Sequence, residues 1–117
     1  MKKTILVADD DAAIVNAIQM ILEDAGYKVQ TTLTGEEVIH TKNSPDLILL
    51  DIWMSGQDGR TICQQLKSQP RTKEIPIIMI SANKDTAKIA KIAGADDFIT
   101  KPFEIEDLLK KVAIYTQ

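Results

Sequence analysis

The sequence lacks the features of several protein classes. Its single cysteine, Cys63, excludes an internal disulfide, as is typical of a reducing compartment. No apolar run approaches the length of a membrane span, and the run from Ile5 to Ala8 is too short for the core of a signal peptide. A net charge of −3 gives no basic footprint for nucleic acid. The sequence therefore predicts a cytoplasmic protein that binds neither membranes nor nucleic acid directly.

What is present suits one globular domain. The chain of 117 residues is 44% apolar and 26% charged, which is enough apolar material to bury a core. No linker, internal repeat or low-complexity segment interrupts it. We expect a single domain over residues 1–117.

Short apolar runs alternate with helical patterns along the chain. The predicted strands are Ile5–Ala8, Val29–Leu33, Asp46–Leu50, Ile75–Ile80 and Asp97–Thr100. The predicted helices are 12–25, 34–42, 60–68, 84–93 and a last one from Ile105 to about Ala113. Strands and helices that alternate in this way form parallel sheets with right-handed crossovers. This predicts an α/β fold, a flavodoxin-like doubly wound (βα)5 three-layer sandwich with sheet order 2-1-3-4-5.

Polar residues follow four of these strands. Asp9 and Asp10 end the first strand, Asp51 the third, Ser81 the fourth and Lys101 the fifth. In the predicted order these four strands are neighbours, and the switch point lies between the first and third. The five side chains are therefore expected to converge in one crevice at the carboxyl edge of the sheet.

Three carboxylates that lie together repel one another, and their pKa values rise. A divalent cation among them would remove that cost. Carboxylates with a backbone carbonyl and waters suit Mg²⁺ or Mn²⁺, and no histidine or cysteine is placed nearby to favour zinc. With the cation bound, Asp51 could attack a phosphorus atom as a nucleophile. Ser81 and Lys101 would then share the charge of the phosphoryl oxygens.

The chain resembles the receiver domains of bacterial response regulators, the chemotaxis-receiver-like family of two-component signalling. The residues that carry the resemblance are Asp9-Asp10, Asp51 with Met54 and Gly59 after it, Ser81-Ala82 and Lys101-Pro102-Phe103. The resemblance extends over the whole chain. One departure is Ser55, where the family usually has proline.

This resemblance implies a regulatory phosphoacceptor rather than an enzyme. Asp51 would receive a phosphoryl group from the phosphohistidine of a histidine kinase or phosphotransfer domain. Asp10, Asp51 and the backbone carbonyl of Trp53 would hold Mg²⁺, and Asp9 would reach it through water. Ser81 and Lys101 would contact the phosphate.

Further roles follow from the same resemblance. The Lys101–Pro102 peptide is expected to be cis, and Ser81 and Phe98 are expected to act as the switch pair. A downstream protein target would bind the face made by the fourth helix, the fifth strand and the fifth helix, and a weak homodimer is also allowed. Trp53 and Asn83 take positions that modulate dephosphorylation. Our hypothesis is that Trp53 hinders the attacking water.

Three other functions fit the sequence less well. An FMN carrier of the same fold is excluded because three aspartates after the first strand would repel the FMN phosphate. A haloacid-dehalogenase-like phosphatase would use Asp9 and Asp11, but it requires Thr or Val where Ala13 stands, and it would leave Asp51 without a purpose. A receiver-like scaffold that is never phosphorylated would normally have lost its acceptor or its lysine. The sequence leaves open whether the receiver stands alone or comes from a longer regulator.

Several residues also have simpler interpretations. Asp11 is expected to cap the first helix, and Asp58 to sit in a turn before Gly59. Cys63 is expected to be a buried small hydrophobe and His40 a surface residue without catalytic work. The lysines at 84, 88 and 91 share one predicted helical stripe, either a solvated face or a docking surface for an acidic partner.

Overall fold

The structure is a computed structural model, and it describes residues 2–40, 44–54 and 56–117. The elements in chain order are β1 (Thr4–Ala8), α1 (Ala12–Asp24), β2 (Lys28–Thr32), α2 (Gly35–Ile39), β3 (Leu47–Asp51), β4 (Trp53–Met54), β5 (Gln57–Asp58), α3 (Gly59–Ser68), β6 (Ile77–Ser81), α4 (Thr86–Ala93), β7 (Asp97–Thr100) and α5 (Ile105–Tyr115). No helix in the described parts of the chain is both long and apolar enough to span a bilayer.

Five strands form one parallel sheet in the order β2-β1-β3-β6-β7. The two short strands β4 and β5 pair with each other as a separate antiparallel hairpin. Once that hairpin is set aside, the sheet has the predicted order 2-1-3-4-5, so the predicted fold is confirmed. The hairpin itself was not predicted, because two-residue strands leave no periodic pattern.

The central strands are buried at every position, which explains their unbroken apolar sequence. Residues 47–51 of β3 and 77–81 of β6 are all buried. Alternate side chains of these strands enter two separate cores on opposite faces of the sheet. One core includes Leu66 of α3 and Ala90 of α4, and the other includes Ile18 of α1 and Leu108 of α5. Each fully buried Leu or Ile stabilises the fold by about 1.5–3 kcal/mol, so β3 is firmly anchored.

Local capping groups set the helix ends. The Asp11 carboxylate accepts hydrogen bonds from the backbone N–H groups of Ala13 and Ile14, which confirms it as the N-cap of α1. The Thr34 hydroxyl accepts from the N–H of Glu37 at the start of α2. The predicted end of this helix at Lys42 lies outside the described residues.

The start of α4 differs from the prediction. The helix begins at Thr86 rather than Lys84, because the backbone N–H and the hydroxyl of Thr86 both donate to the carbonyl of Asn83 in a preceding turn. Lys84 therefore lies before the helix, and of the three lysines only Lys88 and Lys91 lie on α4, where both are exposed. The expected burial of Cys63 and exposure of His40 are both observed.

Candidate functional site

Three carboxylates meet at the carboxyl ends of β1 and β3. Oxygen atoms of Asp9, Asp10 and Asp51 all lie within 4.8 Å of one another. Asp9 and Asp51 are buried, whereas Asp10 is exposed. The parallel register puts Ala8 beside Leu50, which brings Asp51 at the end of β3 and the aspartates that follow β1 to the same edge.

Lys101 joins this cluster from the end of β7. Its ammonium donates to Asp9 Oδ2 at 2.9 Å, while the other oxygen of Asp9 accepts the backbone N–H of Asp11 at 2.9 Å. Asp9 is 2% exposed, so this ion pair is largely shielded from water. The structure thus gives both oxygens of Asp9 a partner.

Asp51 is in a different electrostatic environment. Burial and the neighbouring charge of Asp9 raise its pKa from 3.8 to about 6. Asp10 raises this pKa further, while Lys101, at 3.7 Å from Oδ1, and the N–H of Ile52 oppose the rise. Asp51 is therefore ionised at neutral pH, but at a cost that a cation could relieve.

Ser81 and Lys101 lie on neighbouring strand ends. The side chain of Ser81 is buried, and its Oγ accepts the backbone N–H of Asn83 at 3.0 Å. The backbone N–H of Lys101 donates to the carbonyl of Ser81 at 2.8 Å. The peptide between Lys101 and Pro102 is cis.

The loop after Asp51 passes very close to the start of α3. The N–H of Gly59 donates to the carbonyl of Ile52 at 2.5 Å. A Cβ at position 59 would lie 2.2 Å from the carbonyl oxygen of Asp51 and 2.8 Å from Cα of Ile52. Only glycine allows this approach, which holds in place the segment that carries the Trp53 carbonyl. Ser55, the departure from the family pattern, lies outside the described residues.

Trp53 lies beside an ion pair that sequence reasoning did not find. Its side chain is 59% exposed, and the guanidinium of Arg60 stands 5.8 Å from the ring centroid. Asp58 is the cross-strand partner of Trp53 in the hairpin and binds Arg60 through both carboxylate oxygens. The hydrogen bond from Arg60 holds the pKa of Asp58 below its usual range. Asp58 also caps α3 by accepting the N–H of Arg60.

Phe98 also has a cationic neighbour. The ring is half-buried against the core, and Lys111 Nζ lies 4.4 Å from its centroid. Lys111 also donates to the carbonyl of Phe98 and to Asp97 Oδ1. Burial acts to raise the pKa of Asp97, but hydrogen bonds from Lys111 and the N–H of Phe98 outweigh it and lower the pKa. These contacts join residues that are 13 and 14 positions apart in the sequence, so no local sequence pattern predicts them.

The donor chemistry of the cluster fits a hard cation. Among the described residues, this is the group of three acidic, histidine or cysteine side chains that comes close enough to hold a metal ion, and all its donors are carboxylate oxygens. Such a set suits Mg²⁺ or Mn²⁺ rather than zinc.

Comparison with known proteins agrees with this geometry. The family model of the response regulator receiver domain matches residues 5–113. The DNA-binding dual master transcriptional regulator RpaA of Synechocystis sp. is 41% identical over 112 residues, which are 92% of this chain and 46% of that regulator. This chain therefore spans about half the length of that curated relative.

Solved structures share the fold. A Chloroflexus aurantiacus protein assigned as a response regulator superposes with a TM-score of 0.94 at 32% identity, covering 99% of this chain and 98% of its own. The receiver domain of a sensor histidine kinase from Pseudomonas aeruginosa PAO1 has a TM-score of 0.91 at 23% identity, covering 99% and 98% of the two chains. That second structure contains a magnesium ion coordinated in its active-site cleft.

Proposed function

This chain belongs to the response regulator receiver domain family, and we propose that Asp51 is its phosphoacceptor. In this proposal Asp51 takes a phosphoryl group from the phosphohistidine of a histidine kinase or phosphotransfer domain. The observation that carries the proposal is the meeting of three carboxylates, the Lys101 ammonium and Ser81 at one edge of the sheet.

The hydrogen bonds favour Asp51 over Asp9 as the nucleophile. Both oxygens of Asp9 already accept hydrogen bonds, one from Lys101 and one from the N–H of Asp11. Lys101 lies 3.7 Å from Asp51 Oδ1, beyond hydrogen-bond distance, so the lysine does not occupy that oxygen. Its position at the end of the fully buried strand β3 fixes it in place, which is what in-line transfer requires of an acceptor.

A divalent cation fits the same residues. Asp10, Asp51 and the backbone carbonyl of Trp53 would hold Mg²⁺ or Mn²⁺, with Asp9 reaching it through water. When bound, the cation supplies positive charge that offsets the carboxylates and the developing charge on the phosphoryl oxygens.

The transfer balances without further reactants. The N–P bond of the phosphohistidine breaks with its electron pair passing to the imidazole nitrogen, and an O–P bond to an Asp51 oxygen forms. Lys101, which now binds Asp9, has a short distance to move toward the new phosphoryl group. Because Ser81 Oγ accepts from Asn83, its own hydrogen is available for donation to a phosphoryl oxygen.

The output would be a two-state change in a surface. Ser81 would move toward the phosphoryl group and Phe98 would turn into the space left behind. A complete reversal between two states requires about 5.5 kcal/mol of differential interaction, which charge-assisted bonds from Ser81 and Lys101 could supply. The altered surface comprises α4, β7 and α5. A downstream protein target would bind there, a weak homodimer is also allowed, and we expect the switch to act in the cytoplasm.

The lifetime of the phosphorylated state would depend on Trp53 and Asn83. Trp53 lies two residues after Asp51 and would hinder the water that hydrolyses the acyl phosphate. Trp53→Asn should then shorten the lifetime, and an unchanged decay rate would remove this part of the proposal.

Intact mass after incubation with Mg²⁺ and acetyl phosphate tests the phosphoacceptor. We expect one added phosphoryl group that is labile to base and absent in Asp51→Asn. If neither acetyl phosphate nor any phosphorylated kinase gives an adduct, the scaffold interpretation is favoured. Turnover of a small phosphomonoester that is lost in Asp9→Asn and kept in Asp51→Asn would instead indicate the phosphatase.

A further inference from the structure

The hairpin β4–β5, whose first strand begins two residues after Asp51, brings three side chains together. Trp53 and Asp58 face each other as a cross-strand pair. Arg60 donates two hydrogen bonds to Asp58 Oδ2, from Nε at 2.9 Å and from Nη2 at 2.6 Å. This ion pair places the Arg60 guanidinium 5.8 Å from the centroid of the Trp53 ring. Trp53, Asp58 and Arg60 are called the hairpin stack below.

We propose that Arg60, aimed by Asp58, is a positioning residue that fixes the Trp53 ring and thereby lengthens the life of the phosphorylated state. The inference rests on the proposed role of Asp51 and Trp53 and adds to it the residues that control the ring. An indole that is 59% exposed has little packing to hold it, so a stacked cation is the contact that selects its orientation.

The fork geometry explains why arginine is needed. Arginine presents a planar group that stacks on an aromatic face while its N–H groups bind a carboxylate, and lysine offers no such planar fork. Asp58 is itself held because it caps α3 through the N–H of Arg60 at 2.9 Å. The hairpin stack is thus connected to the first turn of a helix that also packs against the site through Gly59.

The test measures the decay of the phosphorylated protein in Arg60→Ala and Arg60→Lys. We expect both to shorten the lifetime about two- to fivefold, in proportion to a lost exposed cation–π contact. Asp58→Asn should act in the same direction, because asparagine keeps the helix cap but loses the charged fork. Arg71→Ala, which removes an exposed arginine beyond α3, is the matched control and should leave the lifetime unchanged.

A second readout does not need phosphorylation. Trp53 is the single tryptophan of the chain, so its fluorescence anisotropy reports this ring alone. Anisotropy should fall in Arg60→Ala and Arg60→Lys and stay constant in Arg71→Ala. Circular dichroism of the same samples should be unchanged, since Arg60 is exposed.

The double variant separates this inference from the proposed function. In a Trp53→Asn background, Arg60→Ala should produce no additional change in lifetime. An equal shortening in both backgrounds, or a wild-type lifetime in Arg60→Lys, would overturn the inference and leave a charge effect instead. If Trp53→Asn alone leaves the lifetime unaltered, the inference fails with it, while the mass test of Asp51 stands separately.

Discussion

The ammonium of Lys101 is bonded to Asp9 across 92 positions of sequence, with Nζ 2.9 Å from Oδ2. The same ammonium is 3.7 Å from Asp51. In this state the lysine neutralises the most buried carboxylate of the cluster and leaves the proposed acceptor without a direct hydrogen bond from it. Several measurable consequences depend on this arrangement.

Removal of Lys101 should destabilise the fold. Lys101→Met leaves Asp9 buried without its cation, and the loss should be about 1–3 kcal/mol of unfolding free energy in urea without divalent cations. Lys110→Met, at an exposed position on α5, is the control and should change stability little. Equal losses in the two variants would mean that the Asp9 pair contributes nothing.

Asp51→Asn should stabilise the protein when no divalent cation is present. Because the pKa of Asp51 is about 6 in the folded state and 3.8 ordinarily, folding favours its protonated form. The contribution of Asp51 to wild-type stability should therefore be fully present below about pH 4, fall as the pH rises through about 6, and level off above that value. At pH 7.5 the variant should gain up to about 2–3 kcal/mol, and the gain should vanish near pH 4.

The control for this experiment is Asp24→Asn, at an exposed site at the end of α1. Its stability curve should run parallel to that of the wild type. A constant difference between Asp51→Asn and the wild type from pH 4 to pH 8 would contradict the buried-charge explanation.

Binding of Mg²⁺ should depend on the particular aspartate that is changed. Asp10→Asn should weaken Mg²⁺ affinity about tenfold or more, because one charged oxygen ligand is lost. Asp11→Asn should leave affinity unchanged, because asparagine can still cap α1. Titration calorimetry measures both constants. Similar weakening in both variants would point to general electrostatic attraction rather than a built site.

Gly59→Ala should damage both stability and the site. The new Cβ would collide with the backbone at Asp51 and Ile52, so we expect a loss of about 2–4 kcal/mol and weaker Mg²⁺ binding. Gly26→Ala is the comparison, since Gly26 has φ +99° but a Cβ at that position would have no atom within 4 Å. It should cost only about 1 kcal/mol from left-handed backbone strain and leave Mg²⁺ binding intact.

The centre of the sheet was predictable because β3 and β6 are buried at every position. An unbroken apolar run such as Leu47 to Leu50, flanked by helical patterns, predicts a central strand. The parallel order then brings the ends of β1, β3, β6 and β7 together, so the residues of the acidic site could be named in advance. Their roles remain predictions until the phosphorylation and binding measurements are made.

The features that were not predicted depend on tertiary contacts. Nothing in the sequence shows that Arg60 stacks on Trp53 or that Lys111 reaches Phe98, because both contacts depend on where a long flexible side chain settles. The sequence also predicted a start of α4 two residues too early, at Lys84, because the true start depends on hydrogen bonds in the preceding turn. Lys84 continues the lysine spacing, but the turn at Asn83 takes the hydrogen bonds that would have extended the helix.

One backbone hydrogen bond carries a consequence for how the switch responds. The N–H of Lys101 donates to the carbonyl of Ser81, so the two residues proposed to contact the phosphate belong to one hydrogen-bonded unit. Neither can shift far without the other. Their two contacts should form together, and intermediates with a single contact should be sparsely populated. When the protein is titrated with an acyl-phosphate mimic, the NMR signals of residues around Ser81 and Lys101 should share one midpoint and one exchange rate.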